Sequence, residues 1–142
     1  MMAAKLGRSA ECGKLEAAAR FAHAQKFLEA ADLVAGEAAD GINLASASVA
    51  AALAVLAGIA ASDASCCLKL GQRSRGEGHY QAADFLREII GGEKPADALT
   101  RLISLKDTAQ YGVINISDAE LKIAMRRART LVEFAQSLFD AS

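Results

Sequence analysis

The segment INLASASVAAALAVLAGIAAS, residues 42–62, decides the fold, because it carries no charged side chain over a length comparable to a bilayer span of roughly 20 residues. Its composition argues against a membrane. Alanine and serine dominate, Asn43 and Gly58 interrupt it, and the leucines, isoleucines and phenylalanines that drive insertion are few. The segment is therefore read as the central helix of a close-packed bundle, running from about Ile42 to Gln72. Its seam reads Val49, Leu53, Leu56, Ala60, Asp63, Cys67, Leu70 and then Arg73. Asp63 thus stands where an apolar side chain is expected, and an ionised carboxylate there needs a cation or several donors beside it. Arg73, Arg75, Lys106 and the Tyr111 hydroxyl are the candidate partners; an aspartate reaching water at the bundle's end is the alternative.

Around this helix the chain reads as all-α. Alanine is abundant, proline occurs once and tryptophan is absent, a composition that favours helix over strand. A first helix is predicted from about Glu11 to Ala38, with Ala17, Phe21, Ala24, Leu28, Ala31 and Ala35 on one seam. Glu16 and Arg20 stand at the spacing of an i,i+4 pair on another face, and His23 reads as a surface side chain without a role. A third helix begins near His79 and ends at Gly91-Gly92, with Ala82, Phe85, Leu86, Ile89 and Ile90 together. Pro95 suits the first position of a fourth, Ala96 to Tyr111. Ser117-Asp118-Ala119-Glu120 is a capping box opening the last helix, whose apolar positions run from Leu121 to Phe139. The expected architecture is an antiparallel, up-and-down bundle of four to five helices. It occupies residues 11–142 as one domain behind a flexible arm, residues 1–10.

The 16 basic and 17 acidic residues leave a net charge of −1. No global field draws nucleic acid to this chain, and any phosphate contact must be local. Met1 to Ser9 has basic residues but no apolar run behind them, so it is not read as a secretory signal. Three cysteines, Cys12, Cys66 and Cys67, form no CxxC pair, and two histidines do not complete a familiar zinc set with them. They are read as reduced core residues of a cytoplasmic protein, with no metal site and no cofactor expected.

Chemistry concentrates in one place, Arg73-Ser74-Arg75-Gly76-Glu77-Gly78-His79, read as a polar loop between the second and third helices. Two guanidinium groups and an imidazole at a helix N-terminus suit an anion, phosphate above all. An ordinary solvated turn has the same look.

These features resemble the HEPN family, small helical bundles often encoded beside minimal nucleotidyltransferases in toxin and antitoxin pairs. The resemblance rests on two long antiparallel helices, a short helix opening with histidine, and the segment Leu105-Lys106-Asp107-Thr108-Ala109-Gln110-Tyr111-Gly112 before the Ser117-capped helix. Ribonuclease members carry an arginine, four to six residues and a histidine, commonly with a small polar residue after the arginine. Arg73, Ser74 and His79 match that pattern, and Arg75 would be an auxiliary phosphate contact. Two features depart from it. Position 67 is Cys67, where an acidic residue at Asp63 would call for a basic partner four residues on, and Arg73 and His79 precede the third helix and not the last.

The resemblance implies a domain that binds nucleotide or RNA phosphate through Arg73, Ser74, Arg75 and His79, supported by Asp63, Lys106 and Tyr111. It further implies a homodimer and a separate nucleotidyltransferase chain as partner. Two other readings stay open. One is a metal-independent endoribonuclease in which His79 takes the proton of a ribose 2′-hydroxyl while Arg73 stabilises the phosphate. The other is a purely structural dimeric bundle.

Overall fold

The computed structural model describes residues 9–41, 45–75, 80–111 and 116–142, with the side chains of 107–111 outside that description. The elements are β1 (Ser9–Glu11), α1 (Lys14–Ala39), α2 (Ser46–Leu70), β2 (Gln72–Ser74), α3 (Tyr80–Arg87), α4 (Glu93–Tyr111) and α5 (Asp118–Ala141). The all-α expectation holds, with one small addition: β1 and β2 form a two-stranded antiparallel ribbon.

Helix α2 is the central element, packed against α1, α4, α5 and, more lightly, α3. It is long and apolar enough to cross a membrane, yet 72% of its most apolar stretch is buried inside the bundle. Alanine explains how. Ala50, Ala51, Ala54, Ala57, Ala60, Ala61 and Ala64 are fully covered, so neighbouring backbones approach closely. Gly58 marks the tightest approach: a Cβ added there would lie 2.5 Å from Leu102 and 3.1 Å from Leu131.

The predicted seam of α2 is right in its second half only. Ala60, Asp63 and Cys67 are buried, but Val49 and Leu56 lie on the outside, 47% and 38% exposed. In the first half Ala50, Ala51, Ala54 and Ala57 face inward together with Val55, while Val49 and Leu56 face outward.

Chain direction follows from cross-helix pairs. Arg20 of α1 meets Asp63 of α2, Asp32 meets Arg129 of α5, and Phe21 stacks on Phe139 at 5.0 Å. Helix α5 therefore runs against α1, and so does α2, since Cys12 meets Cys67 while Arg20 meets Asp63. The short connection from α4 to α5 reverses the chain once more.

Helix boundaries show local causes. Gly13 precedes α1 with its N–H bonded to Glu16 Oε1 at 2.9 Å, so the predicted start at Glu11 is too early. Gly71 closes α2 in the left-handed conformation, φ +71°, and turns the chain into β2. Helix α3 stops at Arg87, short of the expected Gly91-Gly92, and leaves Ile90 96% exposed. Pro95 sits inside the first turn of α4, where its missing N–H costs nothing. The Ser117 capping box is as expected: Ser117 Oγ accepts from Glu120 N–H, and Ser117 N–H donates to Glu120 Oε1.

Candidate functional site

Asp63 lies in a stretch of α2 from Ala60 to Cys67 in which every residue is buried, and it is itself 7% exposed. A carboxylate cannot sit there unanswered. Arg20, one turn and a half into α1, reaches across: its Nε donates to Asp63 Oδ2 at 3.2 Å, and its Nη2 lies 3.2 Å from the same oxygen. Arg73 approaches that oxygen from β2, Nη1 at 4.0 Å. Two guanidinium groups thus converge on one carboxylate oxygen at one end of the bundle. Burial raises the Asp63 carboxyl above its usual range, outweighing the pull of Arg20 and Arg73 in the opposite direction.

The chain of contacts continues outward. Arg20 Nη1 lies 3.2 Å from Nδ1 of His23, an exposed residue three positions along α1. A guanidinium can only donate, so the contact is a hydrogen bond when Nδ1 accepts, the tautomer that carries its ring proton on Nε2. Buried carboxylate, guanidinium and imidazole form one relay from the core to the surface.

The strand that presents Arg73 is tied down on its other side. Ala10 pairs with Arg73 in the ribbon, Ser9 with Ser74 and Glu11 with Gln72, and Cys12 N–H donates to Gly71 O at 2.9 Å. A disulfide joins Cys12 to Cys67, with Cα atoms 5.2 Å apart. This corrects the expectation of three reduced cysteines and removes the ground on which cysteine usage pointed to the cytoplasm. Residues 9 and 10, expected within the arm, are strand. Cys66 is the free cysteine among the described residues; burial first, and then the nearby Asp63 charge, pushes its thiol up to about 12. It stays protonated and is no nucleophile toward the adjacent disulfide.

The residues picked from sequence are distributed unevenly. Arg73 is half-exposed beside Asp63, Arg75 is exposed, and Ser74 is buried with its hydroxyl donating to Gln81 Oε1 at 3.1 Å. Arg73 and Ser74 belong to a strand and not to a loop. His79 lies outside the described residues. Lys106 is half-buried and makes no ion pair among the described residues, while Tyr111 ends α4 with its side chain outside the description. Both follow Leu102, which abuts Gly58, so the direction of α4 carries them away from Asp63. Of the candidate partners for Asp63, Arg73 alone is beside it among the described residues.

Arg20 and His23 were not picked from sequence. The expected Glu16–Arg20 pair does not form, because Glu16 bonds back to Gly13 and Arg20 turns inward. A signal was present: Arg20 stands three residues after Ala17 and four before Ala24, both buried, so it borders the seam.

The opposite end of the bundle holds a groove of about 570 Å³ floored by Ala35, Ala39, Leu121 and Met125 and edged by Lys122 and Arg126. Among the described residues no group of three or more metal-ligating side chains is found. No family model matches the chain, and neither a curated protein nor a solved structure matches it.

Proposed function

We propose that this chain is an HEPN-like domain that binds the phosphate of a nucleotide or RNA at the Arg73 end of the bundle. In this reading it is a homodimer and serves as partner to a separate minimal nucleotidyltransferase, in the manner of a toxin and antitoxin pair. The observation that carries the reading is the half-exposed Arg73 guanidinium, held beside Arg20 on a pinned strand, with the exposed Arg75 two residues further along the chain. Arginine is suited to phosphate because its planar fork donates two parallel hydrogen bonds. Its charge is only partly spent on Asp63, which lies 4.0 Å away. Cytoplasmic residence belongs to the same proposal and requires the Cys12–Cys67 bond to persist against cellular thiols.

Calorimetry with AMP and a short oligoribonucleotide tests it. Binding should weaken as salt rises, since local charge and no global field supplies the attraction. Losing one charge-assisted contact costs about 1.5–3 kcal/mol, so Arg73→Ala should weaken binding roughly 10- to 100-fold. Metal-independent cleavage abolished by both Arg73→Ala and His79→Ala would move the reading to an endoribonuclease. Wild type that binds neither probe would end it.

A further inference from the structure

We infer that Arg20 and His23 of α1 form the second wall of the phosphate site, facing Arg73, with Asp63 as the positioning residue that holds both guanidinium groups in place. This rests on the phosphate reading above and extends it to residues on a different helix.

The geometry carries the argument. Asp63 Oδ2 receives Arg20 at 3.2 Å and lies 4.0 Å from Arg73, so the two cationic heads gather on one carboxylate oxygen. The two guanidinium groups face the Asp63 carboxylate and, at longer range, that of Glu16, and neither carboxylate takes a hydrogen bond from Arg73 among the described residues. Neither arginine is used up: their side chains stay 29% and 37% exposed, and the 4.0 Å approach of Arg73 is too long for a hydrogen bond. Arg20 has five N–H groups; Nε–H bonds Asp63, one on Nη1 faces His23, and Nη2 lies 3.2 Å from Asp63 as an ion pair. The remaining hydrogens, on the two Nη atoms, can donate to an incoming oxygen.

His23 adds a directed donor. With Nδ1 accepting from Arg20, its Nε2–H is free to donate, and the ring is exposed. The imidazole is thus set as a hydrogen-bond donor toward an anion and not as a proton acceptor at Nε2. The ligand class that matches two guanidinium groups and an N–H on one rigid platform is a phosphoryl group with three free oxygens, one for each donor group. A terminal phosphate, as in AMP or inorganic phosphate, fits this better than an internal phosphodiester.

The test uses the intact disulfide-bonded chain with inorganic phosphate, AMP and a short oligoribonucleotide without a terminal phosphate. His23→Ala should weaken AMP binding about tenfold, the equivalent of about 1.4 kcal/mol. His23→Gln should restore most of it, because the glutamine amide can accept from Arg20 through its oxygen and donate through its nitrogen. Nitrogen-15 NMR of the imidazoles adds a readout that a merely structural role would not move. His23 should show the Nε2–H tautomer, and its Nε2 resonance should shift on titration with phosphate. Binding that is lost in Arg73→Ala but unchanged in His23→Ala and Arg20→Lys, with an unmoved His23 resonance, overturns the second wall and leaves the phosphate reading intact. Absence of binding by wild type overturns both. Equal affinity for AMP and the unphosphorylated-end oligoribonucleotide overturns the preference for a terminal phosphate.

Discussion

The two ends of this bundle are built on opposite principles. At the Asp63 end the chain is held by covalent, backbone and ionic ties at once: the Cys12–Cys67 bond, the β1–β2 ribbon and the Arg20–Asp63 contact. At the other end α1 and α5 diverge around a groove, with alanines on its floor and one exposed ion pair, Arg129–Asp32 at 2.9 Å, below it. Polar groups are fixed where the backbone is cross-tied, and the groove at the far end lies where the side chains of α1 are small. Preorganised charge and empty space are separated by most of the length of α1, which spans roughly 39 Å at 1.5 Å per residue over its 26 residues.

The contrast can be broken most severely at the disulfide. In the chain-entropy picture a closed loop with a sequence separation of 55 is worth about 4 kcal/mol. Cys12→Ser should therefore lower Tm by roughly 10–15 °C, read by calorimetry. A change of a degree or two would mean that this end is held by its packing alone. Next in size is Gly92→Ala at the α3–α4 turn of the same end. The new Cβ would lie 1.8 Å from the backbone oxygen of Leu86, so the turn itself must move. A loss of about 3 kcal/mol in urea denaturation is expected, in the upper part of the usual mutational range.

A subtler test concerns the sign of a pH effect. The folded-state pKa of Asp63 lies above its ordinary 3.8, because burial dominates. The folded form then holds this proton more tightly than the unfolded one, and stability falls as pH rises from 3.8 through the raised value. Subtracting an Asp63→Asn stability profile from that of wild type should reveal this decline. A difference that grows in favour of wild type with rising pH would show instead that the arginines outweigh burial. The smallest effect belongs to the open end. Arg129→Ala removes a pair whose members are both nearly half-exposed, 46% and 47%, and should cost no more than about 0.5 kcal/mol, most of it lost in high salt.

How much of this was legible in the sequence depends on what each residue's environment is made of. Helical periodicity located the five helices, and the Ser117 capping box fixed the start of α5, because those signals are local. The anomaly of Asp63 on an apolar seam was also legible, since a buried carboxylate demands a cation wherever the fold supplies one. Which cation was not legible. Arg20 is 43 positions away, and its local alternative, Glu16, offered an equally good pairing on paper. The pairing of Cys12 with Cys67 was hidden for a similar reason: it depends on α1 and α2 being antiparallel and in register. Which face of α2 turns outward at Val49 and Leu56 depends on where the neighbouring helices pack, which periodicity alone does not contain.

The bond between Cys12 and Cys67 also makes the first two long helices a covalent ring. Any single peptide cleavage between those two cysteines leaves both fragments on one molecule, and only reduction separates them. A cut at any point between α1 and α2 would thus leave the two halves that build the Asp63 cluster tethered at the end where that cluster forms.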